Sequence, residues 1–228
     1  PFYSPGSDFI AFGNTLLADL IQRDLSGKGI RFQSKIYDFI FKAFYYGTAE
    51  VYQDQYQLFG NHQVMPVKIF WDWMLYWTLT APVFTQGRMC DVNMYPRLAF
   101  KLKKLRRLNH LMQEFFRTWH QQCGSHEIDA SIDVFDIEAI PELNSALIED
   151  LTNRGFRQRF SQNVDQLETV FWEIVDHANL DVPIRLRRSY HKHTRKNSLQ
   201  HVFDVTTKSA AANGGDLAVR KSPVATQP

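Results

Sequence analysis

At 228 residues the chain is long enough for one sizeable core or two small ones, and at 44% hydrophobic and 22% charged residues it excludes a disordered or fibrous class. Two cysteines, Cys90 and Cys123, are too few for a disulfide framework, so a reducing, cytoplasmic compartment is expected. The net charge of +2 divides unevenly: from Arg185 onward nine Lys/Arg face two Asp, a net +7 that leaves −5 on the body, which speaks against a nucleic-acid-binding domain with a basic folded face.

The first helix is expected from Ser7 or Asp8, either of them an N-cap, with Phe9, Phe12, Leu16, Leu17, Leu20 and Leu25 at helical spacing. Ser26-Gly27-Lys28-Gly29 ends it. Asp8 and Asn14 interrupt this apolar stretch, so it is not a signal peptide. A second helix is expected from Phe32 to Tyr56, with Ile36, Phe39, Ile40, Ala43 and Tyr46 or Gly47 as its buried stripe. Tyr37, Tyr45, Tyr46, Tyr52 and Tyr56 add an aromatic-rich interior. A third runs from Pro66 to Leu79, ahead of Pro82 and Gly87. The stretch from Val64 to Phe84 is the most apolar, but Lys68 and Asp72 lie inside it, so no transmembrane segment is expected. A fourth helix spans Pro96 to Cys123, with Leu98, Leu102, Leu105, Leu108, Met112, Phe115 and Trp119 on its apolar side.

Residues 128–140 read IDASIDVFDIEAI, near-alternating, and suit a short strand or an extended loop. Two further helices are expected at 141–153 and 157–178. Beyond Pro183 the periodicity fails, and 185–228 reads as a basic, disordered tail. The body is therefore mainly α-helical.

Three stretches carry candidate chemistry. Ser4-Pro5-Gly6-Ser7-Asp8 leads directly into a helix, whose N-terminus offers unpaired N–H groups and partial positive charge. Gly6 removes a side chain where an anion or an electron-rich ring edge approaches. Gly13, further in, costs about 1 kcal/mol against alanine unless another group packs closely there. The run from Phe70 to Trp77 is the densest in aromatics and is apolar around its girth, either helix-packing core or the wall of an aromatic pocket. Asp72 within it has two natural partners: Lys68 one turn earlier, or a tryptophan N–H. His120, Cys123 and His126 supply three possible metal ligands without a fourth, so no metal site is expected. Asp129, Asp133, Asp136 and Glu138 read as surface carboxylates. Lys101, Lys103, Lys104, Arg106 and Arg107 form a basic band, read as a solvated helix face or a contact for an acidic partner.

The opening PFYSPGSDFIAFGNTLLADLI resembles the second flavin motif of FAD-dependent monooxygenases and halogenases, in which Asp-Pro-x-x-Ser-x-Gly precedes a long helix aimed at the flavin pyrimidine edge. Pro1, Ser4 and Gly6 fall on the proline, serine and glycine of that motif. The resemblance extends through VYQDQYQLFGNHQVMPVKIFWDWMLYW, similar to the helical C-terminal region of a halogenase-like branch. It implies a helical C-terminal portion of an α/β, Rossmann-type flavoprotein whose Gly-x-Gly-x-x-Gly loop, absent from these residues, lies upstream. Residues 1–30 would close the FAD-binding domain, 31–183 form the substrate-side region, and 184–228 the tail.

The resemblance further implies FAD, reduced by a flavin reductase or NAD(P)H, contacted by Pro1, Ser4, Pro5, Gly6, Ser7 and Asp8. Halide would lie at Gly6 and Ser7, and an aromatic substrate, free or tethered to a carrier protein, at Trp71, Trp73, Tyr76 and Trp77. In this family oxygen reacts with reduced flavin to a C4a-hydroperoxide that oxidises halide or hydroxylates substrate. The halogenase lysine also lies upstream, so no catalytic residue is assigned here. Two departures favour a plain monooxygenase: Pro5 has no N–H to offer a halide, and Tyr3 stands where some tryptophan-acting members carry glutamate. The reading from another class is a non-enzymatic helical interaction module. A peripheral membrane protein using Trp71 to Trp77 and the basic tail is a third.

Overall fold

A computed structural model describes residues 3–123 and 143–178. The described residues are mainly helical, with no strand among them. Six α-helices follow in order: α1 (Gly6–Leu25), α2 (Arg31–Tyr52), α3 (Met65–Leu75), α4 (Ala81–Thr85), α5 (Met94–Cys123) and α6 (Asn153–Ala178). Short 3₁₀ turns lie at Tyr56–Leu58 and Ala146–Ile148. The stretch expected as a strand or loop and the basic tail both lie outside the described residues, as do Pro1 and His126.

α1 begins at Gly6, not after a Ser7 or Asp8 cap; Pro5 precedes it and no side chain caps it. Its C-terminus closes in a Schellman turn. Gly27 takes φ 70°, and the N–H groups of Lys28 and Gly27 donate to the Arg23 and Asp24 carbonyls at 2.9 Å each. α2 returns antiparallel to α1: Phe9 packs edge-on to Phe41 and Tyr45, and Phe12 meets Phe44.

The buried face of α2 is only in part the expected one: Ile40 is buried and Ile36 packs against the core as expected, but the rest differs. Tyr37, Ile40, Phe44 and Val51 are buried, whereas Phe39 is 73% and Tyr46 64% exposed. Tyr45 and Tyr56 are also exposed, so the tyrosine-rich interior reduces to Tyr37 and the half-buried Tyr52. On α1, Leu17 and Leu25 likewise face outward. Both helices are apolar over much of their girth, so three- and four-residue spacing fits more than one stripe. Packing between them selects one.

The third helix does not stop before Pro82. α3 passes into a π-helical turn, Tyr76–Thr80, and continues as α4 to Thr85. Pro82 has no N–H and its ring collides with the carbonyl four residues back, here Thr78. The widened turn just before it relieves that collision and keeps the rod going. α4 then ends in a second Schellman turn at Gly87, φ 62°.

α3 is the central element: Val67, Lys68, Phe70, Trp71 and Met74 are fully enclosed. α5 and α6 pack on each other and run in the same direction. Lys101 and Lys104 meet Asp165, Lys104 meets Glu168, and near the far end Trp119 meets His177. Two of the five residues of the expected basic band, Lys101 and Lys104, are thus spent joining two helices. The predicted apolar side of α5 is buried almost entire, from Leu98 to Trp119. α6 begins at Asn153, ahead of the expected 157. One hydrophobic core spans Phe12 on α1 to Val175 on α6. No described helix is long and apolar enough to cross a membrane.

Candidate functional site

The opening turn and the aromatic helix meet at the start of α1 through contacts that span 68 and 69 residues of sequence. Ser4, Gly6 and Ser7 are exposed; Tyr3, Pro5 and Asp8 are half-buried. The Pro5 carbonyl accepts the Phe9 N–H at 3.2 Å, so the N–H groups of Gly6, Ser7 and Asp8 precede the intrahelical ladder and, with no side-chain cap, point outward. Apart from its chain neighbours and its own helix backbone, a Cβ added at Gly6 would meet no atom of the described residues within 4 Å. The glycine is therefore not required by packing within the described residues.

Two hydrogen bonds fasten this turn to the aromatic helix. The Tyr3 hydroxyl donates to Asp72 Oδ2 at 3.0 Å, and the Tyr76 hydroxyl to Asp8 Oδ1 at 3.5 Å. Burial and the Asp8 charge push the Tyr76 phenol up to about 12, while burial holds the Asp8 carboxyl above its ordinary value against the pull of that hydrogen bond. Tyr52, edge-on to Tyr3, is likewise pushed up to about 12 by burial and then by the Asp72 charge.

Asp72 is the hub of a buried polar cluster. Lys68 Nζ donates to Asp72 Oδ2 at 2.5 Å, Gln113 Oε1 at 3.0 Å and the Val51 carbonyl at 3.1 Å. These acceptors use all three ammonium protons. Gln113 Nε2 donates to Asp72 Oδ1 at 2.8 Å and to Asn109 Oδ1 at 3.1 Å. Asn109 passes the chain outward to Glu50 at 3.2 Å, which also pairs with His110 at 2.6 Å. Burial drives Asp72 up and Lys68 down, both toward neutrality, and their mutual attraction opposes it. The expected Lys68 pairing is present. The tryptophan alternative is not: the Trp71 N–H donates to Asn109 at 3.2 Å.

The four aromatic residues proposed for substrate separate. Trp71 is fully enclosed against Phe171 and offers no ring face to a ligand. Trp73, Tyr76 and Trp77 are half-buried, and Tyr76 stands at the turn itself. Within the π-helical turn, Trp77 Nε1 and Thr78 Oγ1 are buried without a hydrogen-bond partner among the described residues. His120 and Cys123 serve the loop before α3: Asn61 Nδ2 lies 2.9 Å from His120 Nδ1 and 3.4 Å from Cys123 Sγ. No metal-binding group of three or more ligands occurs among the described residues.

Tyr3, Asn109 and Gln113 are the members that sequence reasoning missed. The α5 pair had a signal: Asn109 and Gln113, four apart, share the buried seam of Leu105, Leu108, Met112 and Phe116. A polar pair on such a seam needs a buried polar partner. Tyr3 had none, since its bond to Asp72 crosses 69 residues.

No protein-family model, curated protein or solved structure matches this chain. The flavoprotein resemblance therefore rests on the two quoted stretches. The start of α1 fits a flavin ring edge in part, with outward N–H donors and open space at Gly6. The Gly-x-Gly-x-x-Gly loop that would hold its diphosphate does not occur in this sequence.

Proposed function

We propose that this chain is the helical, substrate-side portion of an FAD-dependent oxidoreductase of halogenase-like type acting on an aromatic substrate. The observation that carries the reading is the convergence at one place of an uncapped helix start, an unhindered Gly6 and the half-buried end of the aromatic helix at Tyr76. The outer face of α1 supports it. Ile10, Leu17, Ile21 and Leu25 are exposed at helical spacing, an apolar stripe of the kind that further protein covers.

In this reading the Gly6, Ser7 and Asp8 N–H groups hold the electron-rich ring edge of FAD, and reduced flavin supplies the oxygen-activating chemistry. The donors at Gly6 and Ser7 are those left for a halide. Pro5 contributes none, and Tyr3 hydrogen-bonds to a buried carboxylate instead of presenting an acid. These two features favour a second reading within the class, a monooxygenase without halide chemistry.

The test is to follow the reading frame upstream, express the whole protein and measure bound FAD. The expected frame carries a Gly-x-Gly-x-x-Gly loop, and the product retains flavin. Gly6→Ala, whose Cβ meets open space among the described residues, is expected to lower flavin affinity at least tenfold, about 1.4 kcal/mol or more. A start codon immediately before Pro1, or no flavin retained by the whole protein, would leave a helical interaction module as the better account; flavin retained equally by both proteins would remove the α1 start from the flavin site.

A further inference from the structure

Tyr3 and Ser4 both stand in the left-handed backbone region, with φ of 60° and 46°. Neither residue type favours it, and such positions persist where the surroundings over-determine them. Here the surroundings are specific. The Tyr3 ring is largely enclosed and edge-on to Tyr52 at 6.2 Å, and its hydroxyl donates to Asp72 Oδ2. That oxygen is fixed by Lys68, while Gln113 fixes its neighbour. Lys68 and Asp72 are 0% and 3% exposed in their side chains. A buried ion pair gains little over apolar residues of similar volume, so stability alone does not account for this one.

We propose that the Lys68–Asp72–Gln113 cluster is a latch: it presents one immobile carboxylate oxygen to Tyr3 and so holds the turn 3–8 in the form that leaves the first N–H groups of α1 facing outward. Tyr3 is then a positioning residue for the ligand of that turn. The ligand's identity, a flavin ring edge, rests on the reading above; the latch does not. Burial and the Asp72 charge push the Tyr3 phenol far above its ordinary range, so it remains a donor at all working pH and is not an acid or base.

The test uses amide hydrogen exchange on the full chain. Tyr3→Phe keeps the ring and removes only the hydroxyl. Exchange at Phe9, Ile10 and Ala11, the first amides bonded within α1, is expected to quicken roughly tenfold, the loss of one hydrogen bond to a charged group. Amides of α5 and α6 should not change. The double variant Lys68→Met/Asp72→Leu should loosen the same three amides while lowering Tm less than Asp72→Ala does. Lys68→Met/Asp72→Asn, which restores an acceptor oxygen for Tyr3, should return their protection. Unchanged exchange in Tyr3→Phe overturns the latch, and so does loosening spread evenly over α5 and α6. Loosening confined to α1 in a protein that binds no flavin upholds the latch and removes only the flavin reading.

Discussion

Asp72 shows how one residue's worth depends on what surrounds it. Asp72→Ala would leave the Lys68 ammonium enclosed without its counter-charge, and a loss of about 3–5 kcal/mol is expected in denaturant unfolding. Replacing both members by apolar residues should cost far less, because the desolvation penalty leaves with the charges. Equal losses for the single and double variants would mean that the pair stabilises in its own right. Gly13 makes the opposite case. An added Cβ would lie 3.7 Å from the Phe41 ring, an ordinary contact, so Gly13→Ala should stabilise by about 0.5–1 kcal/mol through reduced backbone entropy. A lower Tm would show that Phe41 cannot accommodate the methyl. The Lys68–Asp72 pairing was legible from four-residue spacing on a helix. Its closure by Tyr3 and Gln113 was not, since those partners come from other elements.

At the scale of elements, α1 and α2 form an antiparallel hairpin held by aromatic contacts and by one polar clamp. Asp19 Oδ2 accepts from the Tyr37 hydroxyl and from Arg23, each at 2.5 Å. Partial burial pushes the Asp19 carboxyl up, but Tyr37 and Arg23 outweigh it and hold it below its ordinary value. A depressed folded-state pKa contributes stability that is complete above the unfolded value of about 3.9 and is lost as pH falls through the folded value. Thermal stability should therefore drop below about pH 4, and Asp19→Asn should flatten that drop. An unchanged acid slope in the variant would assign the loss to other carboxylates.

The two phenylalanines of α2 separate the stripes. Phe44, 8% exposed, should cost about 3–5 kcal/mol when replaced by alanine. Phe39, 73% exposed, should change stability by less than about 0.5 kcal/mol. Comparable losses at both would restore the stripe expected from spacing. Helix existence was legible for α1, α2, α3 and α5 because their periodicity is long. The start of α1, the rotation of α2 and the continuation through Pro82 were not, because each is decided by packing or by local backbone geometry.

For the molecule as a whole, the described helices share one core, with α3 enclosed by the others. Helix circular dichroism and fluorescence from Trp71, Trp119 and Trp172 should follow a single denaturant transition. An earlier step in circular dichroism alone would show that the α1–α2 hairpin unfolds separately.

The sequence by itself determined that the body is helical, where most helices run, which face of α5 is buried, and that Lys68 is one of two natural partners for Asp72. Each follows from periodicity or from contacts within one helix, which a linear pattern records directly. Tertiary structure alone decided that Tyr3 reaches Asp72, that Trp71 is core while Tyr76 stands at the opening turn, and that Phe44 rather than Phe39 faces inward. Those outcomes depend on contacts between residues far apart in the chain, where several apolar faces compete and only their joint packing selects one.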